Sequence, residues 1–373
     1  MSILMTRPAI RNRSTQPIIQ DRAVTSVGEP DSPKPIPAPV PTPPRPKPAP
    51  PATMLGYSPF PLDADARHFG LTTSTMRLTG GTVRVRHGRR TVSTTATILL
   101  HGAAGSWTTW TPLLQAGDAT ARDLTDLIIP DLPGWGDSPA PADESPLGVE
   151  WMAELVADLA RSLGYAQWNV VGHSMGGFIA LQLAASETRA TASVGLVSAT
   201  SFSIIDSVRQ PIRRFSVMPA FTALLLTMRM LRVTGLIGRG LVRAASGLGL
   251  LRGLVAPLFS RPRAIDATVV AALGTEVRPA AFVLAAAQAG TYDAAASWAR
   301  IRCPVRSVHG ERDVFVTAAD DERMLAAIST CRISTIPGAG HFSQIERPLE
   351  VLIQLEFAAP LPIVSAAHVL GTC

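Results

Sequence analysis

The chain has 373 residues, of which 46% are hydrophobic and 17% are charged, and its formal net charge is +6. This length suits one large domain with an insertion or two ordinary domains, and the composition provides for a large core. The positive charge comes mostly from single arginines within apolar sequence. Because no Lys/Arg block is interleaved with aromatic residues, we expect no nucleic-acid binding.

Cysteine usage and the N-terminus bear on the cellular compartment. Cys303, Cys331 and Cys373 match neither a disulfide framework nor a metal-ligand spacing, which favours a reducing compartment. The N-terminus lacks the apolar core of a signal peptide, and no run of 18 apolar residues occurs in the chain. We therefore expect a cytoplasmic protein without a membrane span.

The N-terminal region is rich in proline. Residues 30–51 contain twelve prolines, which remove backbone donors and favour an extended polyproline-like conformation. We predict that residues 1–55 form a disordered tail. A docking peptide of the PxxP type is the alternative.

From about Leu71 onward, short apolar runs alternate with helical patterns. Strands are predicted at residues 96–100, 127–129, 168–171, 192–197, 305–308 and 333–336, and helices at 150–163, 178–185, 318–328 and 348–357. Continuously apolar strands separated by helices indicate a parallel sheet covered on both faces. The predicted fold class is α/β, with residues 56–201 and 301–373 forming the two parts of the core.

The alternation stops between residues 202 and 300, where only apolar, helix-like segments occur. This length is too great for a loop, so we predict an inserted helical cap. From Ser207 to Ile265 the cap contains ten arginines and no acidic residue. Arginine stems lying over an apolar lid are the favoured interpretation, and weak contact with a membrane surface is the alternative.

The strongest chemical motif is Gly172-His173-Ser174-Met175-Gly176. It follows an apolar strand and opens a helix, and a turn this tight requires small residues two positions either side of the serine. The serine then projects above the sheet at a helix N-terminus, which stabilises negative charge. Ser174 is therefore the candidate nucleophile, and a plain glycine-rich turn is the alternative.

A serine hydroxyl needs a base to remove its proton. His341 follows the last predicted strand in a stretch of small residues, where we expect an exposed ring that can reach Ser174. A surface histidine without a catalytic role is the alternative.

The acid that orients this histidine is expected at the carboxyl end of strand 305–308. Asp313 is the candidate, because it would fix the imidazole tautomer and stabilise the imidazolium. Glu311, Asp320 and Asp321 are alternatives, although the last two suit the first turn of the next helix. The resulting order Ser, Asp, His along the chain is the expected one for this type of site.

Two backbone N–H groups should stabilise the oxyanion of the tetrahedral intermediate. One belongs to Met175, and the other to Ala103 in the loop after strand 96–100. Ala104 is the second choice of donor and is expected to contact substrate. Losing one such donor typically costs about 3 kcal/mol of transition-state stabilisation. We expect His101 to brace this loop rather than act as a base.

A further glycine-rich loop, Asp131-Leu-Pro-Gly-Trp-Gly-Asp-Ser138, follows the strand at 127–129. Its glycines suit a sharp turn beside the site. Trp135 is predicted to line the substrate entrance, and packing in the core is the alternative. We expect Trp107 and Trp110 to be core or pocket wall.

Taken together, these motifs resemble the α/β-hydrolase superfamily, in the single-chain type with a helical cap. The matching segments are HGAAG at 101–105, DLPGWGDS at 131–138, GHSMGG at 172–177, HGERD at 309–313 and GAGH at 338–341. The resemblance implies an eight-stranded, mostly parallel sheet with a pocket between sheet and cap. It also supports the roles given to the five catalytic and oxyanion residues. Epoxide hydrolases and haloalkane dehalogenases place an aspartate at the position of Ser174, so we do not expect their covalent alkyl-enzyme mechanisms.

The sequence therefore predicts a serine hydrolase that cleaves a carboxylic ester, or a related acyl bond, of a hydrophobic small molecule. The reaction would pass through an acyl-enzyme on Ser174 and would need neither a metal nor an organic cofactor. A C–C bond hydrolase of the meta-cleavage type and a non-catalytic accessory protein with this fold are the alternatives. The oligomeric state is not indicated by the sequence.

Overall fold

The computed structural model describes residues 55–141, 148–235 and 250–356, so the predicted tail lies almost wholly outside the described residues. An eight-stranded sheet forms its centre. The strands are β1 (Leu71–Leu78), β2 (Gly81–Gly88), β3 (Thr95–Leu100), β4 (Leu127–Pro130), β5 (Gln167–His173), β6 (Thr191–Val197), β7 (Val305–Gly310) and β8 (Cys331–Ile336). The six strands located from the sequence are all present, and each extends one or more residues beyond its predicted limits.

The strands lie in the order β1-β2-β4-β3-β5-β6-β7-β8. β1 pairs antiparallel with β2, and β2 pairs antiparallel with β4, while every pair from β4 to β8 is parallel. The predicted α/β class with a mostly parallel sheet is confirmed. Because β3 and β5 are central neighbours, the loops that leave their carboxyl ends lie side by side.

The helices of the described residues lie on both faces of the sheet and in the segment between β6 and β7. They are α1 (Thr111–Ala119), α2 (Val149–Ser162), α3 (Met175–Ser186), α4 (Phe202–Arg209), α5 (Pro211–Arg214), α6 (Pro219–Thr234), α7 (Leu251–Val255), α8 (Ala267–Thr275), α9 (Pro279–Thr291), α10 (Ala294–Trp298), α11 (Ala318–Ala327), α12 (Ser343–Glu346) and α13 (Pro348–Gln354). Short 3₁₀ segments join several of them.

The core consists of two main apolar layers, one on each face of the sheet. Along β3, Ile98 and Leu100 pack into the layer that contains α2 and α3. Leu99, which points the opposite way, packs into the layer that contains α1 and α13. This alternation follows from the two-residue period of a strand, and it explains why β3 is apolar on both faces at its carboxyl end.

The described residues between β6 and β7 are helical and contain no strand. Helices α4 to α10 belong to this segment, and α6 and α9 contribute to the cavity described below. Within the described ranges, no single helix is long and apolar enough to cross a membrane. Helices α8 and α9 meet that criterion only as a pair bent by 78°, by length and composition alone.

Candidate active site

Ser174 lies at the turn between β5 and α3, with φ 51° and ψ −119°. The close approach of neighbouring backbone holds it there. A Cβ at Gly172 would lie 2.2 Å from the Gly176 carbonyl oxygen, and a Cβ at Gly176 would lie 2.2 Å from the Leu100 carbonyl oxygen. No side chain fits at either position. The strained serine is therefore held by packing of β5, α3 and the end of β3.

The two predicted oxyanion donors lie beside this turn. Met175 is the first residue of α3, and neither its N–H nor that of Ala103 donates a hydrogen bond to a described residue. Both residues line the same cavity as Ser174. Ala104 also lines it and has φ 125°, a conformation that L residues rarely adopt. The loop that carries Ala103 and Ala104 is thus strained next to Ser174, and such strain is often found at active-site loops.

His341 and Asp313 form a buried pair. His341 Nδ1 lies 3.0 Å from Asp313 Oδ1 and 3.2 Å from Oδ2, and the Phe315 N–H donates to Oδ1 at 2.8 Å. Burial alone would raise the pKa of the Asp313 carboxyl. The His341 imidazole and the donated hydrogen bonds outweigh burial, so the pKa lies below its ordinary value. An ionised Asp313 keeps the proton on Nδ1 and leaves Nε2 free to act as a base.

The predicted exposure of His341 is wrong, since the residue is only 3% exposed. Aromatic rings surround it: its centroid lies 4.7 Å from that of Phe315, 5.0 Å from that of His173 and 5.5 Å from that of Phe342. Its backbone N–H donates to the Leu258 carbonyl at 2.8 Å. The ring is therefore packed in place by residues from several segments rather than free in a loop.

Ser174 and His341 line one cavity. Within the described part of the chain, the Ser174 hydroxyl forms no hydrogen bond with the imidazole. Such bonds are often long or misaligned in a site without substrate and tighten when substrate binds. The structure thus brings Ser174 and His341 to the wall of the same cavity, without a direct hydrogen bond between them.

His173, which precedes Ser174, is buried and supports the loop that carries His341. Its Nε2–H donates to the His341 carbonyl at 3.0 Å. Burial, reinforced by the neighbouring His341, lowers the pKa of His173 to about 3. His173 is therefore neutral at neutral pH and places no positive charge beside His341.

The alternative acids lie elsewhere. Asp320 completes a capping box at the start of α11, and Asp321 lies in the same first turn and contacts His309 Nε2 at 3.1 Å. Glu311 accepts a hydrogen bond from a loop backbone N–H at 3.1 Å. Of these carboxylates, Asp313 is the one that contacts His341. The predicted placement of Asp320 and Asp321 in the first turn of the helix is confirmed.

The cavity in front of Ser174 has a volume of about 120 Å³, counted as space open to the centres of water molecules. Its wall is almost entirely apolar. The polar side chains among the described lining residues are His173, Ser174, Thr200 and His341, and none of the lining residues is acidic, lysine or arginine. No group of three or more His, Cys, Asp or Glu residues within the described ranges is arranged to hold a metal ion.

Trp135 does not line this cavity. It is 1% exposed and packs in the core layer with α2 and α3, so its predicted role at the entrance is wrong and the packing alternative holds. Its loop is fixed by Asp131, which accepts hydrogen bonds from the Trp107 N–H at 2.9 Å and from the Arg86 guanidinium. His101 Nε2 accepts a hydrogen bond from the Leu132 N–H at 2.9 Å. His101 therefore joins the loop after β3 to the loop after β4, which agrees with the bracing role expected for it.

Glu346 is a supporting residue that sequence reasoning missed. Its buried carboxylate accepts hydrogen bonds from Tyr57 Oη at 2.6 Å, the Ser260 N–H at 2.8 Å and the Gly340 N–H at 2.9 Å. Burial raises the pKa of Glu346, although these hydrogen bonds oppose the increase. The carboxylate thus ties the loop of His341 to two distant segments. No motif around Glu346 signals this role.

Comparison with known proteins places this geometry in context. The model of the Alpha/beta hydrolase family matches residues 97–355, which is more than half of the chain. The dihydrolipoyllysine-residue acetyltransferase component of the acetoin cleaving system of Cupriavidus necator is 35% identical over 120 residues, which are 32% of this chain and 30% of that protein. The soluble epoxide hydrolase of Corynebacterium sp. strain C12 is 38% identical over 87 residues, which are 23% of this chain and 28% of that protein.

The chain thus matches less than a third of the length of either relative. Among solved structures, a thermophilic esterase from Thermogutta terrifontis superposes with a TM-score of 0.55 at 20% identity. That superposition covers 75% of this chain and 94% of the esterase. At this identity the likeness shows a shared fold.

The turn at Ser174 yields a stability prediction. Gly172→Ala places a Cβ against backbone that cannot move away, so we expect the free energy of unfolding to fall by about 1–3 kcal/mol or more. Gly253→Ala in α7 is the matched control, because nothing lies within 4 Å of its Cβ position. Thermal unfolding followed by circular dichroism compares them. Equal melting temperatures for the two variants would contradict the crowding described at Gly172.

The neutral His173 yields a pH prediction. Between pH 6.5 and about 3, the unfolded chain binds a proton at His173 that the folded chain does not, so stability falls as the pH falls through this window. In His173→Asn this slope should decrease by about 1 kcal/mol per pH unit near pH 5. Urea unfolding at a series of pH values measures it, with exposed His68→Asn as control. An unchanged slope in His173→Asn would show that this residue is not held neutral.

Proposed function

The chain is a member of the Alpha/beta hydrolase family, and from this we propose that it is a serine hydrolase that cleaves an ester-type bond of an apolar acyl compound. The observation that carries the proposal is the buried His341–Asp313 pair, whose histidine lines one cavity together with a serine on a strained turn. A buried histidine without a catalytic role would not need a cavity that also holds a serine and two N–H groups, those of Met175 and Ala103, without an acceptor among the described residues.

In the proposed reaction, Ser174 Oγ attacks the acyl carbonyl while His341 Nε2 takes its proton. The carbonyl oxygen becomes an oxyanion that receives hydrogen bonds from the Met175 and Ala103 N–H groups. His341 then gives the proton to the leaving alcohol, and the acyl group stays on Ser174. Water, deprotonated by the same imidazole, releases the acid and restores the serine. Asp313 stabilises the imidazolium in both steps.

The composition of the cavity supports an apolar acyl group. A charged substrate would lose its hydration without gaining a partner, because no ionised side chain lines the described wall. A diketone-like substrate of a C–C hydrolase needs donors for a second carbonyl. Among the described lining residues, Thr200 carries the one hydroxyl besides that of Ser174, and the two oxyanion N–H groups are already assigned to the first carbonyl. An ester is therefore favoured over C–C cleavage.

Epoxide opening, the activity named for the Corynebacterium relative, is disfavoured by the residue at position 174. The resemblance drawn from the motifs places a carboxylate nucleophile there in epoxide hydrolases, whereas this chain has a serine. A non-catalytic scaffold would not need the strain at Ser174 or the buried carboxylate at Asp313. Both features cost stability and are characteristic of sites that react.

The triad is tested by paired variants. We expect Ser174→Ala and His341→Asn each to lower kcat for a p-nitrophenyl ester by roughly a millionfold, and Asp313→Asn by about ten-thousandfold. His309 and Asp321 form a similar pair outside the cavity. His309→Asn and Asp321→Asn are therefore matched controls and should change kcat less than about threefold, because neither residue lines the cavity. Equal losses of kcat at the control pair would contradict the assignment. So would a chain that cleaves a diketone substrate but hydrolyses no ester.

The substrate class is tested along α9. Ala286 lines the cavity, whereas Ala287 on the same helix is exposed. Ala286→Leu should shorten the preferred acyl chain, with kcat/KM for long esters falling about tenfold or more because the added side chain occupies acyl space. Ala287→Leu is the control and should leave the chain-length profile unchanged. Rates across p-nitrophenyl esters of increasing length measure it, and identical profiles would contradict the proposed acyl pocket.

A further inference from the structure

Helix α6 is apolar on two opposite faces. Its inner face carries Phe221, Leu224 and Met228, which line the cavity in front of Ser174. Its outer face exposes Leu226, Met230 and Val233, and Val233 is 88% exposed. Spacings of four and three residues place these three side chains in one stripe on the helix. A helix that is apolar all round is expected to be buried, yet here half of it faces outward.

Neighbouring segments extend the exposed apolar surface. Ile212 in α5 and Phe215 and Val217 in the turn before α6 are exposed, and Ile212 is 91% exposed. Together with the stripe on α6, these six residues are called the outer apolar face. Of the eleven large hydrophobic residues exposed in the described ranges, eight lie between positions 212 and 254. Scattered single residues need no explanation, but such a concentration marks an interaction surface.

The sequence segment that carries this face contains basic but no acidic residues. Ten arginines and no acidic residue occur between positions 207 and 265. Arg213 in α5 and Arg229 in α6 are exposed and form no ion pair with any described residue. Arg229 lies three residues after Leu226, so it flanks the stripe. Apolar side chains bordered by unpaired arginines match an interface with anionic lipid.

We propose that the outer apolar face docks on the surface of an anionic phospholipid bilayer. A second copy of the chain would bring like charges together. The N-terminal residues 1–54 carry seven Lys or Arg against three Asp or Glu, so they are also basic and poorly matched to this face. An anionic bilayer satisfies both the apolar stripe and the arginines, whereas a neutral apolar partner satisfies only the stripe.

Docking would place the lipid against one side of α6 and the catalytic cavity against the other. Acyl chains taken up at the membrane would then have only the thickness of this helix, about 10 Å, to pass before they reach the cavity. The docking itself is independent of the chemistry at Ser174. The delivery of acyl groups rests on the proposed function and names its substrate class as esters that partition into membranes.

Vesicle binding by the full chain tests the docking. Ser174→Ala prevents hydrolysis during the measurement, and co-sedimentation uses phosphatidylcholine vesicles with or without phosphatidylglycerol. We expect binding that requires phosphatidylglycerol and weakens in high salt. On the same background, Met230→Ser with Val233→Ser, and separately Arg213→Glu with Arg229→Glu, should each lower the partition coefficient at least about tenfold.

Controls come from outside the face. Val92→Ser removes an equally exposed apolar residue, and Arg77→Glu reverses an exposed arginine in β1; both should stay within about twofold of the parent. Absence of vesicle binding, or equal binding by face variants and controls, would overturn the docking. The docking would also be overturned if the parent chain bound no vesicles but formed a dimer, and if light scattering showed that this dimer dissociates in Met230→Ser with Val233→Ser.

The two proposals fail separately. With Ser174 intact, the four face substitutions should leave hydrolysis of a short, water-soluble ester unchanged, because none of these residues lines the cavity. Loss of vesicle binding with normal hydrolysis of that ester in the variants supports docking through this face. Vesicle binding by a chain that hydrolyses no ester would leave docking standing and contradict the proposed function.

Discussion

The hydrogen bond between His341 and Asp313 is the interaction on which the site depends. It joins the loop after β8 to the loop after β7, and it sits among aromatic rings where an unpaired carboxylate would be costly. The low-dielectric surroundings strengthen the bond and fix the tautomer that a general base requires. His173 stays neutral beside the pair. The buried His341–Asp313 pair and the strained Ser174 thus meet at one cavity, which the loops at the strand ends enclose.

Much of the fold could be predicted because its central strands are buried on both faces. Apolar runs such as β3 and β4 are conspicuous in sequence, and their alternation with helices is sufficient to indicate a parallel sheet. The hairpin of β1 and β2 could not be placed in the same way. Its strands are half-buried and rich in threonine and arginine, so no continuous apolar run marks them. Their position at the sheet edge is set by pairing with β4.

The site was predictable where it depends on local geometry. The glycines around Ser174 exclude a Cβ because of contacts within the motif and with the adjoining strand. The burial of His341 could not be predicted, because two of the rings that cover it, those of Phe315 and His173, are distant from it in sequence. Glu346 was missed for the same reason: its three donors belong to segments as far apart as Tyr57 and Gly340. Trp135 fills the core because its loop is tied inward by Asp131.

The most direct test of the central claim is the reaction of the folded chain with a fluorophosphonate, followed by mass spectrometry of the intact protein and its peptides. Proton removal by the imidazole predicts one adduct, located on Ser174 and absent from Ser174→Ala. In His341→Asn the rate of labelling should fall by about 10²–10⁴-fold, as expected when a general base is lost. An adduct on another residue, or an undiminished rate in His341→Asn, would contradict the account.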